Sequence, residues 1–319
     1  MVSCIALSAS PARVVVRRDP RLTVVVLSHR RPFELRRTLR RLVALPERPS
    51  IIVVDNGSDR SLMDMVREQF PDVTLLRSAT NLGACARNIG VRHARTPYVA
   101  FCDDDTWWEP GSLCLAADWL DKHTHIGAMT ARVLVGVERR EDTTSTIMRR
   151  SPLDTFSRQP GPTILGMLAG ATVFRRAAFI AAGGYHPRFF LGGEEALLAL
   201  DMAARGWTLV YSDQLTVHHY PSLVRDVATR RATLARNEVW TAWLRLPLGA
   251  ALRQTWRLAP RVWREAGGIA GWGHTLRGLP WTLRERRVIP PRVEAMRRRV
   301  EAEERLAAMT KASGARQRR

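Results

Sequence analysis

The chain has 319 residues, 45% of them hydrophobic and 25% charged, which excludes a disordered polar chain and is enough to bury a core. The formal charge of +20 is almost wholly arginine, Lys122 and Lys311 being the only lysines, and it is uneven: from Ser222 to Arg319 there are 22 Lys/Arg against 8 Asp/Glu, a surplus of 14. No apolar run reaches 18 residues, so no membrane-spanning helix is expected.

The first 20 residues, "MVSCIALSASPARVVVRRDP", have no basic region ahead of their short apolar stretch. They read poorly as a signal peptide and are expected to form a flexible extension. Cys4, Cys85, Cys102 and Cys114 make no CxxC pair and have no zinc-finger spacing to histidine, which points to reduced thiols in a cytoplasmic protein.

From Leu22 the hydrophobic period alternates. "LTVVVLS" and "SIIVVDNGS" are apolar runs of strand length, and between them "RPFELRRTLRRLVAL" spaces Phe33, Leu35, Leu39, Leu42 and Leu45 as a helix does, with Pro32 in its first turn. "SLMDMVREQF" predicts a helix, "DVTLLRS" a strand, "LGACARNIGVRHA" a helix, "PYVAFCD" a fourth strand and "PGSLCLAADWLDKH" another helix. Strands apolar throughout that alternate with helices imply an α/β fold, with a mostly parallel sheet covered on both faces.

Beyond residue 125 the pattern loosens. "IGAMTARVLV" reads as a strand, and the polar "ERREDTTSTIMRRSPLDTFSRQPGP" as an excursion or mobile loop. "MLAGATVFRRAAFIAAGGY" predicts a strand and a short helix, "EEALLALDMAARGW" a helix ending at Gly206, and "TLVYSD" a short strand. Residues 223–319 alternate tryptophan and arginine among Leu, Ala, Gly and Pro and are expected to be helical.

Ligands of parallel α/β sheets bind at the carboxyl ends of the strands. Asp55 follows the second strand, Asp103, Asp104 and Asp105 follow the fourth, and Asn81 and Asn88 bracket the helix before it. Adjacent carboxylates repel unless a cation lies among them, and Mg²⁺ or Mn²⁺ takes one or two carboxylates together with substrate phosphate oxygens. In an extended segment Asp103 and Asp105 would share a face and Asp104 would point away. A solvated acidic turn capping the next helix is the plain alternative.

In order, "VVVLSHRRPFELRRTLRRL", "IIVVDNGSD", "NLGACARNIGVRHARTPYVAFCDDDTWWEPGSL" and "FFLGGEEALLALDMAARGW" resemble the family-2 glycosyltransferases with the GT-A fold, over roughly Leu22 to Ser222. The resemblance implies a catalytic domain over residues 21–222, a DxD motif, and transfer of sugar from a nucleotide-diphosphate sugar, UDP- or dTDP-linked, to an acceptor hydroxyl with inversion. Ser28 and Arg30 would line the base and ribose pocket, Asp55 would contact the base, Asp103 the ribose or nucleotide, and Asp105 the metal. Asn81, Asn88 and Asp104 are grouped with the nucleotide-sugar-binding residues, and Gly170 in "LAGATVF" would lie under the donor sugar. The family commonly has Glu-Asp where this chain has Glu194-Glu195, which makes Glu195 the first choice of catalytic base and Glu194 the second. His218 of "TVHHYPS" is preferred to His219 as a metal ligand, and Trp107 and Trp108 are candidates for stacking on a sugar. Asp201, six residues after Glu195, is about 120° away from it on a helix and outside the site.

A nucleotidyltransferase and a non-catalytic sugar-nucleotide-binding protein are the rival readings. The missing GxGxxG weakens a dinucleotide oxidoreductase. The basic C-terminal region suits an anionic membrane surface or a helical cap on the catalytic domain, with nucleic acid not expected. Relatives acting on lipid-linked acceptors at the inner membrane face, in cell-envelope polysaccharide synthesis, favour a peripheral membrane contact and a saccharide or lipid-linked acceptor.

Overall fold

The computed structural model describes residues 19–156, 158–222 and 227–317. The expected N-terminal extension, with Cys4, therefore lies outside the described residues except for Asp19 and Pro20. The elements run β1 (Leu22–Ser28), α1 (Pro32–Val43), β2 (Ser50–Asn56), α2 (Arg60–Gln69), β3 (Thr74–Ser78), α3 (Arg87–His93), β4 (Tyr98–Asp103), β5 (Thr106–Trp108), α4 (Ser112–Lys122) and β6 (Ile126–Val135). They continue with β7 (Arg140–Glu141), α5 (Thr143–Arg149), β8 (Thr163–Ile164), β9 (Thr172–Arg175), α6 (Arg176–Ala181), α7 (Glu194–Ala204) and β10 (Thr208–His219). Five helices close the chain: α8 (Val227–Arg245), α9 (Leu248–Glu265), α10 (Ile269–Arg277), α11 (Leu279–Arg284) and α12 (Pro291–Gln317).

The sheet order is β3-β2-β1-β4-β9-β6-β10-β5. The first four strands are mutually parallel, as are β6 and β10, whereas β9 runs antiparallel between β4 and β6 and β5 antiparallel to β10. Continuous apolarity in β1 reflects burial on both faces. Val24 and Val26 join the cluster that contains Leu35, Leu39 and Leu42 of α1, and Val25 joins the opposite cluster with Val91 of α3. A Cβ on Gly90 would lie 2.5 Å from Val25 Cγ1, so glycine is what lets α3 approach β1.

Two expectations are corrected. The polar stretch after β6 is ordered in part: Asp142 caps α5 by accepting from Thr144 N at 2.8 Å, and the buried Ser145 hydroxyl accepts from Val133 N at 3.0 Å. β10 extends well past "TLVYSD", because after a bulge between Ser212 and Thr216 it pairs again with β6 up to His219. That extension carries two histidines to the sheet edge.

The basic C-terminal segment folds onto the rest. Arg245 of α8 pairs with Asp201 of α7, its Nη2 donating to Oδ2 at 2.9 Å, and Asp201 thus serves packing, as its helical offset predicted. The fully buried Asn237 of α8 donates through Nδ2 to Phe189 O at 2.8 Å and Gly192 O at 2.6 Å, clamping the loop before α7. Asn237→Ala strands two carbonyls and should cost about 2 kcal/mol of stability. In thermal denaturation this would appear as a fall in Tm of about 5 °C; an unchanged Tm would refute the clamp.

Candidate active site

Parallel register brings the first carboxylates together. Ser28 pairs with Asp55 across β1 and β2, and Leu27 with Asp103 across β1 and β4, so three adjacent strands end at one edge. Asp55 is fully buried; its Oδ1 accepts from Ser58 N at 3.0 Å, while Oδ2 accepts no hydrogen bond and lies 3.6 Å from Arg77 Nε. Arg30 is exposed above this turn with φ of 54°, its N–H donating to Ser58 Oγ at 2.8 Å. Asn81 closes the neighbouring loop, its Oδ1 accepting from Asn56 Nδ2 and Gly83 N, both at 2.9 Å.

The three aspartates do not lie on an extended segment. Thr106 Oγ1 accepts from Asp103 N at 2.8 Å, and Asp104-Asp105 form the turn between β4 and β5. Asp103 and Asp105 therefore face different neighbours rather than sharing a face. Asp103 pairs with Arg87. Asp104 turns inward, accepting from Ser28 Oγ at 3.1 Å and Arg31 Nη1 at 3.2 Å. Burial pushes its carboxyl up to about 7, with Arg31 opposing. Ser28 and Asp104, expected among the nucleotide contacts, thus bond to each other. Asp105 is buried with His219 Nε2 3.5 Å from Oδ1, Arg31 Nη1 3.7 Å from Oδ2, and Ser222 N donating to Oδ2 at 3.3 Å.

Successive residues of β10 point to opposite sides, which separates the two histidines. His218 is buried against Glu109, and His219 reaches Asp105. The geometry thus favours His219, not His218, as the partner of Asp105. Trp108 is fully buried with Nε1 donating to Phe101 O at 3.2 Å, so it is a core residue and not a sugar platform. Trp107 stacks on Tyr220 at 4.9 Å and His218 at 5.7 Å between ring centroids.

The second acidic pair opens α7 after Gly193, whose φ of 86° suits glycine. Glu195 Oε1 accepts from Ala169 N at 2.8 Å, whereas buried Glu194 has Oε2 without a hydrogen-bond partner. Burial raises both carboxyls, and the charge of Glu195 raises Glu194 further. Residue 170, next to Ala169, lies against Asp103: a Cβ there would sit 2.7 Å from Asp103 Oδ2. The two acidic groups thus meet at adjacent residues, Ala169 and Gly170. Gly170→Ala should displace Asp103 and raise the donor KM about tenfold with Tm nearly unchanged; an unaltered KM would show that this approach has no part in binding.

Arg87 is the residue the sequence reading missed. It is buried, pairs with Asp103, and its charge acts on Glu194 and Glu195. An arginine within the small-residue run "GACARNIGV", on the helix face that packs on the sheet, was the available signal. Asn88 spends its amide on the Tyr185 backbone, donating to O at 2.8 Å and accepting from N at 3.0 Å. Among the described residues no three His, Cys, Asp or Glu side chains form a cation-sized group. Asp105 and His219 nonetheless offer an oxygen and a nitrogen donor side by side, which fits a divalent ion completed by substrate oxygens.

Comparison with known proteins agrees with the fold. Residues 23–183 match the family described as glycosyl transferase family 2. The N-acetylglucosaminyl-diphospho-decaprenol L-rhamnosyltransferase of Mycobacterium tuberculosis is 28% identical over 273 residues, covering 73% of this chain and 89% of the relative. GalNAc-T7, solved with UDP, GalNAc and Mn²⁺, superposes with a TM-score of 0.60 at 15% identity, over 86% of this chain and 57% of that one. The mannosyltransferase PcManGT from Pyrobaculum calidifontis, solved with GDP-Man and Mn²⁺, gives 0.57 at 19% identity, over 93% and 79%. At such identities these two structures share the fold, the GT-A arrangement.

Proposed function

The chain belongs to glycosyl transferase family 2 and is a glycosyltransferase; on that premise we propose that it moves a sugar, with inversion, from a UDP- or dTDP-sugar to the hydroxyl of a lipid-linked saccharide. The observation that carries this reading is the meeting of two acidic groups at one short segment, Asp103 beside Gly170 and Glu195 held by the adjacent Ala169 amide.

Glu195 is the base. Its Oε1 is fixed by Ala169 N–H, and Glu195 is the more exposed of the pair, Glu194 being buried. Inversion by single displacement requires one carboxylate to take the acceptor hydroxyl's proton as that oxygen bonds to the anomeric carbon. The bond from that carbon to the nucleoside diphosphate breaks on the opposite face. Arg87 holds Asp103 in place for the nucleotide and keeps positive charge near the glutamates, favouring their ionised form. Arg30 and Asp55 border the base end of the site. Asp105 and His219 would hold a divalent cation, Mg²⁺ or Mn²⁺, which when bound neutralises charge on the leaving diphosphate.

The mycobacterial relatives' name gives the finer assignment its direction: L-rhamnose as the sugar and an N-acetylglucosaminyl-diphospho-lipid as the acceptor class. Thermal shifts with a panel of nucleotide sugars and Mn²⁺ test it, since a matched donor stabilises by mass action. Release of the nucleoside diphosphate on addition of acceptor is the expected product. Release of pyrophosphate would establish a nucleotidyltransferase instead, and absence of metal-dependent turnover with any donor would leave only a binding protein.

A further inference from the structure

Helix α9 has three distinct faces. At about 100° per residue, Ala250, Ala251, Leu258 and Val262 fall on one arc, and they are buried. Leu258 and Val262 pack there with Ala235 and Val239 of α8. Leu248, Leu252, Trp256 and Trp263 fall within a second arc of about 80°, and all four face solvent, at 59%, 49%, 78% and 55% exposure. Arg253, Arg257 and Arg264 form a third arc beside them.

The stripe continues past the helix. Gly268 N donates to Trp263 O at 2.8 Å, so α10 begins beside Trp263 with Ile269, which is 80% exposed. Glu265 is the one carboxylate in α9 and α10; it is paired with Arg261, as is Glu238 on α8, while Glu304 of α12 lies toward Arg257. Arg257 is shared with Glu301 of α12 at 3.5 Å, leaving Arg253 and Arg264 at the exposed shoulder.

We propose that this face of α9, with the start of α10, docks on an anionic lipid surface. The occupant follows from the chemistry. Indole and leucine side chains enter the headgroup boundary, and arginines alongside them meet lipid phosphate. The stripe's side chains stand out to solvent along one helix face, which suits a fluid surface. A second copy of this chain would bring the same arginines against each other. The described helices include none long and apolar enough to cross a membrane, so the contact is one of lying on the surface.

The docking face is coupled to the site by packing. α9 packs on α8, and Asn237 of α8 holds the loop that leads into Glu194 and Glu195. A chain seated on this face would hold its site at a fixed height over the bilayer, where a lipid-linked acceptor presents its saccharide. This consequence rests on the proposed acceptor class; the docking itself does not.

The test is co-sedimentation of the full chain, without donor or acceptor, with phosphatidylcholine vesicles that contain or lack phosphatidylglycerol. Binding should require phosphatidylglycerol, weaken with added salt, and shift tryptophan emission to the blue. Trp256→Ser with Trp263→Ser should lower partitioning at least tenfold, and Arg253→Glu with Arg264→Glu similarly, with Tm and circular dichroism unchanged. Binding that persists in both variants, no binding to phosphatidylglycerol vesicles, or a concentration-dependent dimer abolished by the same variants would each overturn the proposal. Since the readout involves no turnover, its failure is distinguishable from failure of the glycosyltransferase assignment. Transfer to a water-soluble acceptor should be unaffected by either variant, and transfer to a vesicle-embedded one should fall.

Discussion

Glu195→Gln should lower kcat about 10³-fold, within the range that a positioned general base supplies, while leaving the donor dissociation constant within about threefold of the wild-type value. Glutamine keeps the length and the oxygen that accepts from Ala169 N–H, but it cannot take a proton. Isothermal titration with donor and steady-state transfer kinetics separate the two effects. Full transfer activity in this variant would remove Glu195 from the mechanism, and a larger loss in Glu194→Gln would move the base by one residue. The pH profile adds a check with a definite sign. Burial raises the carboxyls of this pair, so the ionised base is depleted on the acid side, and activity should rise with pH through a value above the ordinary carboxylate range. The charge of Glu195 raises Glu194 further, so in Glu195→Gln the carboxyl of Glu194 should ionise at lower pH.

Asp105→Ala should abolish metal-dependent turnover, with a fall in kcat/KM of about 10³-fold or more, equivalent to about 4 kcal/mol of transition-state stabilisation. Asp105 is buried beside His219 and Arg31, so the variant loses a carboxylate that these two side chains and Ser222 N–H address. His219→Ala should weaken Mn²⁺ affinity in the same direction by about 10- to 100-fold. His218→Ala should instead affect stability, because that ring is paired with Glu109 and stacked on Trp107. A Mn²⁺ titration followed by donor-dependent thermal shift distinguishes them. Equal losses in the two histidine variants would contradict the separation that β10 imposes.

Much of the site could be read from the chain because it depends on local order. Apolar runs placed β1, β2 and β4, and the parallel fold they imply put Asp55 and the aspartate triplet at one edge. "GGEEALLALDMAARG" placed Glu194 and Glu195 in the first turn of a helix, since a glycine turn and helical periodicity are both short-range signals. The side on which each residue points was harder. Asp104 and Asp105 lie in a turn closed by Thr106, so the alternation of an extended strand does not apply to them. The choice between His218 and His219 depends on how far β10 runs along β6, which is set by pairing with a distant strand. Trp108 is core and Trp107 is stacked on Tyr220 for the same reason.

The sequence by itself determined the α/β class, the family and the two acidic groups, because periodicity and motif order are properties of neighbouring residues. Only the tertiary structure decided that Arg87 pairs with Asp103 and acts by its charge on the glutamates, that Ser28 and Asp104 bond to each other, and that Asn237 and Arg245 tie α8 to α7 and the loop before it. Each of those is a contact between residues far apart in the chain, whose partners are chosen by packing of the whole sheet and not by local pattern.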